Sequence, residues 1–373
     1  MKKILKILIT FLLIILIYIL IFNFKSLNFN NLSDLNKKAL EEYNTAMSSN
    51  LWEGYSLDHP MILIEKGDFF NNKKHSINLY RKNIFLVNVD IKSPLAKKIK
   101  MPKDFKLQKV YKLNRLHPLA IKTISPIGNF SSIDENLKYK NYNNIYKFKY
   151  GKNNFNSAKK SQEFIPFLSH EFFHYNMQKT WSIKNEYLDI INNKDYISLI
   201  GLEYKILDNI MNNLNNKVLL ENYLKEYIVV SREKENINKE YFNTEKDYET
   251  IEGSATYIGM KYGNFVNTPL PFLEGARRDE DRSFYYIFTV VANYDNYINE
   301  LRYSRYDSGS LLLFALNNLD YNFYNNLENS TIYKEVEKYN KDDLNSLDLN
   351  SIKEKYDFKS IEIESSKIFN KLN

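Results

Sequence analysis

Five consecutive residues, His170-Glu171-Phe172-Phe173-His174, carry the strongest chemical signal in the sequence. On a helix, side chains four positions apart share a face, so both imidazoles can reach one cation from the same side. Glu171 follows the first imidazole directly, where its carboxylate can act on water held at that ion. The surroundings suit a helix. Pro166 falls where a first turn tolerates it, and neither Pro nor Gly recurs through Trp181. Phe167, Leu168, Phe172, Phe173 and Met177 supply the apolar side that would bury it. The competing reading is a pair of histidines in an ordinary apolar helix, which would leave two desolvated imidazoles in need of other partners.

Two imidazoles do not complete a zinc site; a third protein ligand is needed, with one position left for water. The chain has no cysteine, so thiolate ligands and disulfides are excluded and the third ligand is His or a carboxylate. Of the other histidines, His59 precedes Pro60, His75 lies in a Lys-rich turn and His117 precedes Pro118. Met177-Gln178-Lys179-Thr180 lacks the Gly and His of a metzincin continuation. A carboxylate is the better candidate. Glu252 opens the segment Glu252-Gly253-Ser254-Ala255-Thr256-Tyr257, read as a helix start whose small residues permit close approach to the histidine helix. Glu249, three residues earlier on the same face, is an alternative ligand or a partner that orients a histidine. Glu274 begins a similar Glu-Gly-Ala stretch, but it runs into Arg277, Arg278, Asp279, Glu280, Asp281 and Arg282, which reads as a solvated charged loop. Glu203, flanked by apolar residues, reads as a surface position on a helix.

The pairing of His-Glu-Phe-Phe-His with Glu-Gly-Ser-Ala-Thr-Tyr resembles the gluzincin metallopeptidases, particularly their aminopeptidase-N-like branch. The resemblance implies one zinc ion per chain held by His170, His174 and Glu252, with Glu171 as general base. Tyr306-Asp307-Ser308-Gly309, ahead of an apolar helix at Leu311–Leu319, is similar to that branch's Tyr-x-x-Gly segment. This implies Tyr306 as a hydrogen-bond donor to the oxyanion. The chain departs from the branch in two respects. The stretch between His174 and Glu252 is longer and holds two helices, and no Gly-x-Met-x-Asn element precedes the motif. In these respects it is closer to bacterial membrane or secreted HExxH proteins.

These residues need a scaffold, and 373 residues with 44% hydrophobic composition, including 30 Tyr and 24 Phe, can bury one. The expected class is α+β. An N-terminal transmembrane helix precedes a β-rich half and a mainly helical, zincin-like C-terminal half. Strands are expected at Met61–Ile64, Ile84–Val89, Ala120–Ile124 and Ile145–Phe148, with Pro118, Pro126 and Gly128 as punctuation. Helices are expected at Tyr196–Asn213 and Lys217–Glu235. The organisation reads as a signal anchor over 1–24 and a polar stalk with a short helix over 25–50. A β-rich part of the catalytic unit over 51–156, a helical catalytic part over 157–320 and a helical cap over 321–373 follow.

Lys2, Lys3 and Lys6 precede an apolar run from Ile7 to Phe22, broken only by Thr10. That length approaches a bilayer span, and the basic flank favours a cytoplasmic N-terminus with the remainder outside. No small-x-small cleavage site follows, so an uncleaved anchor in membrane lipid is expected rather than a removed signal peptide. The net charge of +7 is spread along the chain. Without a basic stripe or a recognition motif, nucleic acid is not an expected partner. The function expected is a membrane-anchored zinc hydrolase acting on a peptide or protein substrate. The alternative is a catalytically silent envelope scaffold of the same fold.

Overall fold

The run Met61–Ile64 is apolar at alternate and intervening positions alike, so a strand built from it must be covered on both faces. It lies inside a seven-stranded sheet in the computed structural model, which describes residues 2–24, 26–67, 81–124, 128–132, 142, 144–183, 186–274, 282–340 and 347–373. The chain folds as two units. One comprises Met1–Asn50, Ser56–Ala158 and Gln162–Leu168; the other comprises Leu51–Tyr55, Lys159–Ser161 and Ser169–Asn373.

The first unit contains helices α1 (Lys2–Phe24), α2 (Asp34–Ala46) and α3 (Pro118–Lys122). Its strands are β1 (Leu27–Asn28), β2 (Met61–Lys66), β3 (Arg81–Val87), β4 (Ala96–Lys100), β5 (Val110–Leu113), β6 (Phe130–Ser132) and β7 (Tyr146–Tyr150). The sheet order is β1-β4-β5-β3-β2-β7-β6, with β1 parallel to β4, β2 parallel to β7 and the other pairs antiparallel. On one face Ile62, Ile64, Ile84 and Leu86 pack with Leu119 and Ala120 of α3. On the other, the Phe148 and Tyr150 rings lie 5.4 and 5.5 Å from Phe164. The buried Glu65 carboxylate accepts a 2.9 Å hydrogen bond from Asn36 of α2.

Three of the four expected strands are present, as parts of β2, β3 and β7. Ala120–Ile124 is not a strand: Pro118 to Lys122 is helical, because the His117 side chain caps the Leu119 amide and Pro118 presets the first turn. Leu119 and Ala120 are the buried side of this helix, while Ile121 and Ile124 are exposed. The short helix expected within 25–50 is α2, but its Ala39, Leu40, Tyr43 and Ala46 are buried, and the Tyr43 hydroxyl donates to Leu57 O at 2.6 Å. This stretch is therefore part of the packed unit, not a free stalk. His75, Pro126 and residues 275–281 of the charged run lie outside the described residues. Within α1, Lys3–Phe24 is long and apolar enough to cross a membrane, and its apolar side chains are exposed.

Helix α4 (Phe164–Asn176) carries the histidine motif, and its residues from Ser169 onward belong to the second unit. That unit continues with α5 (Lys194–Asn212), α6 (Lys217–Ile237), α7 (Lys239–Phe265), α8 (Phe284–Asn293), α9 (Glu300–Asn318), α10 (Ile332–Tyr339), α11 (Leu349–Lys355) and α12 (Phe358–Leu372). Asn193, Asn216 and Asn238 cap the starts of α5, α6 and α7 through their side-chain oxygens. Asn238 also ends α6, so the turn into α7 is a single residue. The expected helices at 196–213 and 217–235 correspond to α5 and α6. Glu252 does not open a helix, as the sequence suggested, but sits well inside α7.

Candidate metal centre

Two packing arrangements in the second unit bring α4, α7 and α9 together. The first is aromatic. Trp52, 1% exposed, lies 4.9 Å from Phe173 of α4 and 6.1 Å from Tyr257 of α7, ring centre to ring centre. The Tyr55 hydroxyl donates to Ser169 O at 2.8 Å. The apolar side of α4 is thus spent on this cluster, leaving the histidine side free. The second is a glycine contact. Gly253 of α7 faces Gly309 of α9 so closely that a Cβ on Gly253 would lie 2.5 Å from the Gly309 Cα.

The His170 and His174 Nε2 atoms are 3.1 Å apart, and Glu252 Oε2 lies 3.6 Å from the first and 3.4 Å from the second. A zinc ion takes nitrogen and oxygen donors at about 2.0–2.1 Å, which sets tetrahedral donor–donor separations of about 3.3–3.4 Å. The three spacings bracket that value, so the donors are spaced to fit one cation. Among the described residues, this is the group of His and carboxylate side chains able to hold a metal ion. Burial works against the Glu252 charge, but the two imidazoles outweigh it and hold the carboxyl below its ordinary range. For His174, burial opposes protonation while hydrogen bonds to Glu252 and Gln178 favour it, and the net shift is upward.

Glu171 is half-buried; among the described residues its carboxylate makes no hydrogen bond or ion pair, and its charge favours protonation of His174. Tyr306 lies in the middle of α9, not in a loop; its ring stacks parallel to that of His170 at 6.1 Å. Burial, then the neighbouring Glu252 charge, raises the Tyr306 hydroxyl far above the usual phenol range, so it remains a donor. Its oxygen is 3.5 Å from the Tyr248 hydroxyl.

Sequence reasoning missed Gln178. Its amide nitrogen donates to Ile251 O at 2.7 Å and to Ser254 Oγ at 2.8 Å, both on α7, and its oxygen meets His174 Nδ1. One glutamine in a short turn after the histidine helix gives no sequence signal of this role.

The competing carboxylates have other partners. Glu249 bonds Lys246 at 3.0 Å and accepts hydrogen bonds from Ser308 and from Tyr227 at 3.2 Å. Glu203 is not a surface residue. It is 0% exposed and pairs with Lys234 and Arg305. With Glu245, Glu249 and Lys246 these residues form a buried network of three carboxylates and three cations. Burial alone would raise the Glu203 carboxyl, but Arg305, Lys234 and Lys246 hold it well below the usual range. Glu274 accepts hydrogen bonds from the Lys160 and Ser161 amides. His117 is committed to capping α3.

No family model, curated protein or solved structure matches the chain.

Proposed function

We propose that the chain is a membrane-anchored, zinc-dependent hydrolase, a gluzincin-like metallopeptidase cleaving peptide bonds outside the cytoplasm. The observation that carries this reading is the triangle of His170, His174 and Glu252 donors, with sides of 3.1, 3.4 and 3.6 Å. Two imidazoles and one carboxylate form a donor set suited to catalytic zinc. Zinc supplies Lewis acidity there, polarising a carbonyl and making water more acidic. Glu171, next to His170 and without a hydrogen-bond or ion-pair partner among the described residues, takes the proton from the attacking water and passes it to the leaving amine. Tyr306 donates a hydrogen bond to the oxygen that gains charge. The apolar helix at Lys3–Phe24, with its basic flank, supports a membrane anchor with the rest of the chain outside.

Metal analysis of the full-length protein in detergent tests the reading. One zinc per chain is expected, lost in His174→Ala. Glu171→Gln keeps the size of the side chain but cannot accept the proton. It should retain zinc while hydrolysis of a peptide library falls about 10²–10⁴-fold. Full zinc occupancy in His174→Ala would remove the ligand assignment. Zinc without any cleavage by the wild type would favour a catalytically silent scaffold.

A further inference from the structure

The face of α9 that presents Tyr306 carries a second polar group. Arg302 stands four residues earlier, one helical turn or about 6 Å along the axis, on the same side of the helix. It is only 8% exposed. Its guanidinium carbon lies 4.2 Å from the Tyr187 ring centre and 4.8 Å from that of Tyr303, and Nη2 donates to the Tyr303 hydroxyl at 3.1 Å. Among the described residues no carboxylate pairs with Arg302, and its buried Nε has no hydrogen-bond partner. Arg305, three residues on, is different: its charge is matched by Glu203, Glu245 and Glu249.

The two phenol rings attract this guanidinium through cation–π contact, and without a carboxylate partner it keeps a full charge to offer a ligand. They also hold the planar fork in place, the arrangement that suits bidentate capture of a carboxylate. The Tyr248 hydroxyl, 3.5 Å from that of Tyr306, feels both the Glu252 and the Arg302 charges, so the guanidinium belongs to the same neighbourhood as the metal centre. An extended peptide advances about 3.3–3.6 Å per residue, so one helical turn corresponds to one or two substrate residues.

We propose that Arg302 receives a substrate carboxylate one or two residues from the scissile amide, making this a hydrolase of peptides with a chain terminus or an acidic side chain at that point. The inference rests on the zinc-hydrolase reading above. It is tested by calorimetric titration of the full-length, zinc-loaded protein in detergent with three peptide hydroxamates. One ends in a free carboxylate, one is its C-terminal amide, and one carries glutamate followed by an amide.

At least one carboxylate form should bind about 10–100-fold tighter than the plain amide, the range for a hydrogen bond to a charged group. The tighter of the two distinguishes a terminus from a side chain. Arg302→Gln, checked for folding by circular dichroism, should abolish the preference. Arg302→Lys, a point charge without the fork, should restore it in part. Equal binding of all three probes by the wild type overturns the inference while leaving the metal centre intact, as does a preference that survives Arg302→Gln. If no hydroxamate binds in a zinc-dependent way, the metal-centre reading falls, and this inference with it.

Discussion

Gln178 has its amide nitrogen committed to two acceptors on α7, so its oxygen is the atom turned to His174. An amide oxygen can only accept, which requires the proton of the imidazole to sit on Nδ1 and leaves Nε2 with its lone pair for a cation. The side chain thereby selects a tautomer and ties the histidine helix to the glutamate helix. Gln178→Ala should weaken zinc binding about 10–100-fold in a competitive chelator titration, the usual cost of removing such an outer partner. Gln178→Glu can still accept from Nδ1 and should recover part of the loss. Unchanged affinity in Gln178→Ala would show that packing alone orients His174. At this scale the sequence singled out the two histidines and Glu252 by chemistry and spacing, and the fold brings these three side chains together. The sequence was misleading for Glu203, whose partners Lys234 and Arg305 are distant in the chain and whose apolar neighbours looked like one side of an exposed helix.

At the scale of elements, the position of Tyr306 depends on how closely α9 approaches α7. Gly253 and Gly309 allow backbone contact: a Cβ on Gly309 would strike Glu249 O and lie 2.9 Å from the Gly253 Cα. Helix propensity favours alanine over glycine by about 1 kcal/mol, so without this contact Gly309→Ala would stabilise the protein. With it, the expected outcome is destabilisation by about 1–3 kcal/mol as the helices are forced apart, read from the midpoint of denaturant unfolding. A midpoint shifted upward would show that the helices yield without cost. The small residues after Glu252 were read as permitting close approach to the histidine helix, whereas Gly253 meets the backbone of α9. The partner is Gly309, within a Tyr-x-x-Gly segment that the sequence placed ahead of a helix and the fold places inside one. Boundaries of this kind are set by caps. Asn238 starts α7 well before Glu252, and His117 with Pro118 turns an apparent strand into α3.

For the whole molecule, the decisive element is α1. The 22 residues Lys3–Phe24 would span about 33 Å as a helix, against a hydrocarbon core of about 30 Å. Its polar interruptions are met within the helix, since Thr10 Oγ1 donates to Lys6 O and Asn23 Nδ2 to Ile19 O, both at 2.9 Å. Such bonds lower the cost of placing a hydroxyl or an amide in or near lipid. In water, by contrast, the exposed apolar side chains from Ile4 to Phe24 would form a surface far larger than soluble proteins tolerate. On the anchor reading proposed above, the three lysines at its start would favour a cytoplasmic N-terminus.

The protein should therefore remain with the membrane after alkaline extraction, and intact mass should retain residues 1–24. A C-terminal alkaline phosphatase fusion should be active, because that reporter folds only outside the cytoplasm. A mature N-terminus near residue 25 would turn α1 into a removed signal and would leave the exported location standing. Activity confined to a cytoplasmic reporter would reverse the orientation and place the metal centre among intracellular peptides. Changing Lys2, Lys3 and Lys6 together to Gln separates charge from length. If the basic flank sets the orientation, the fusion signal should fall and become mixed while membrane association persists, since the apolar span is unchanged.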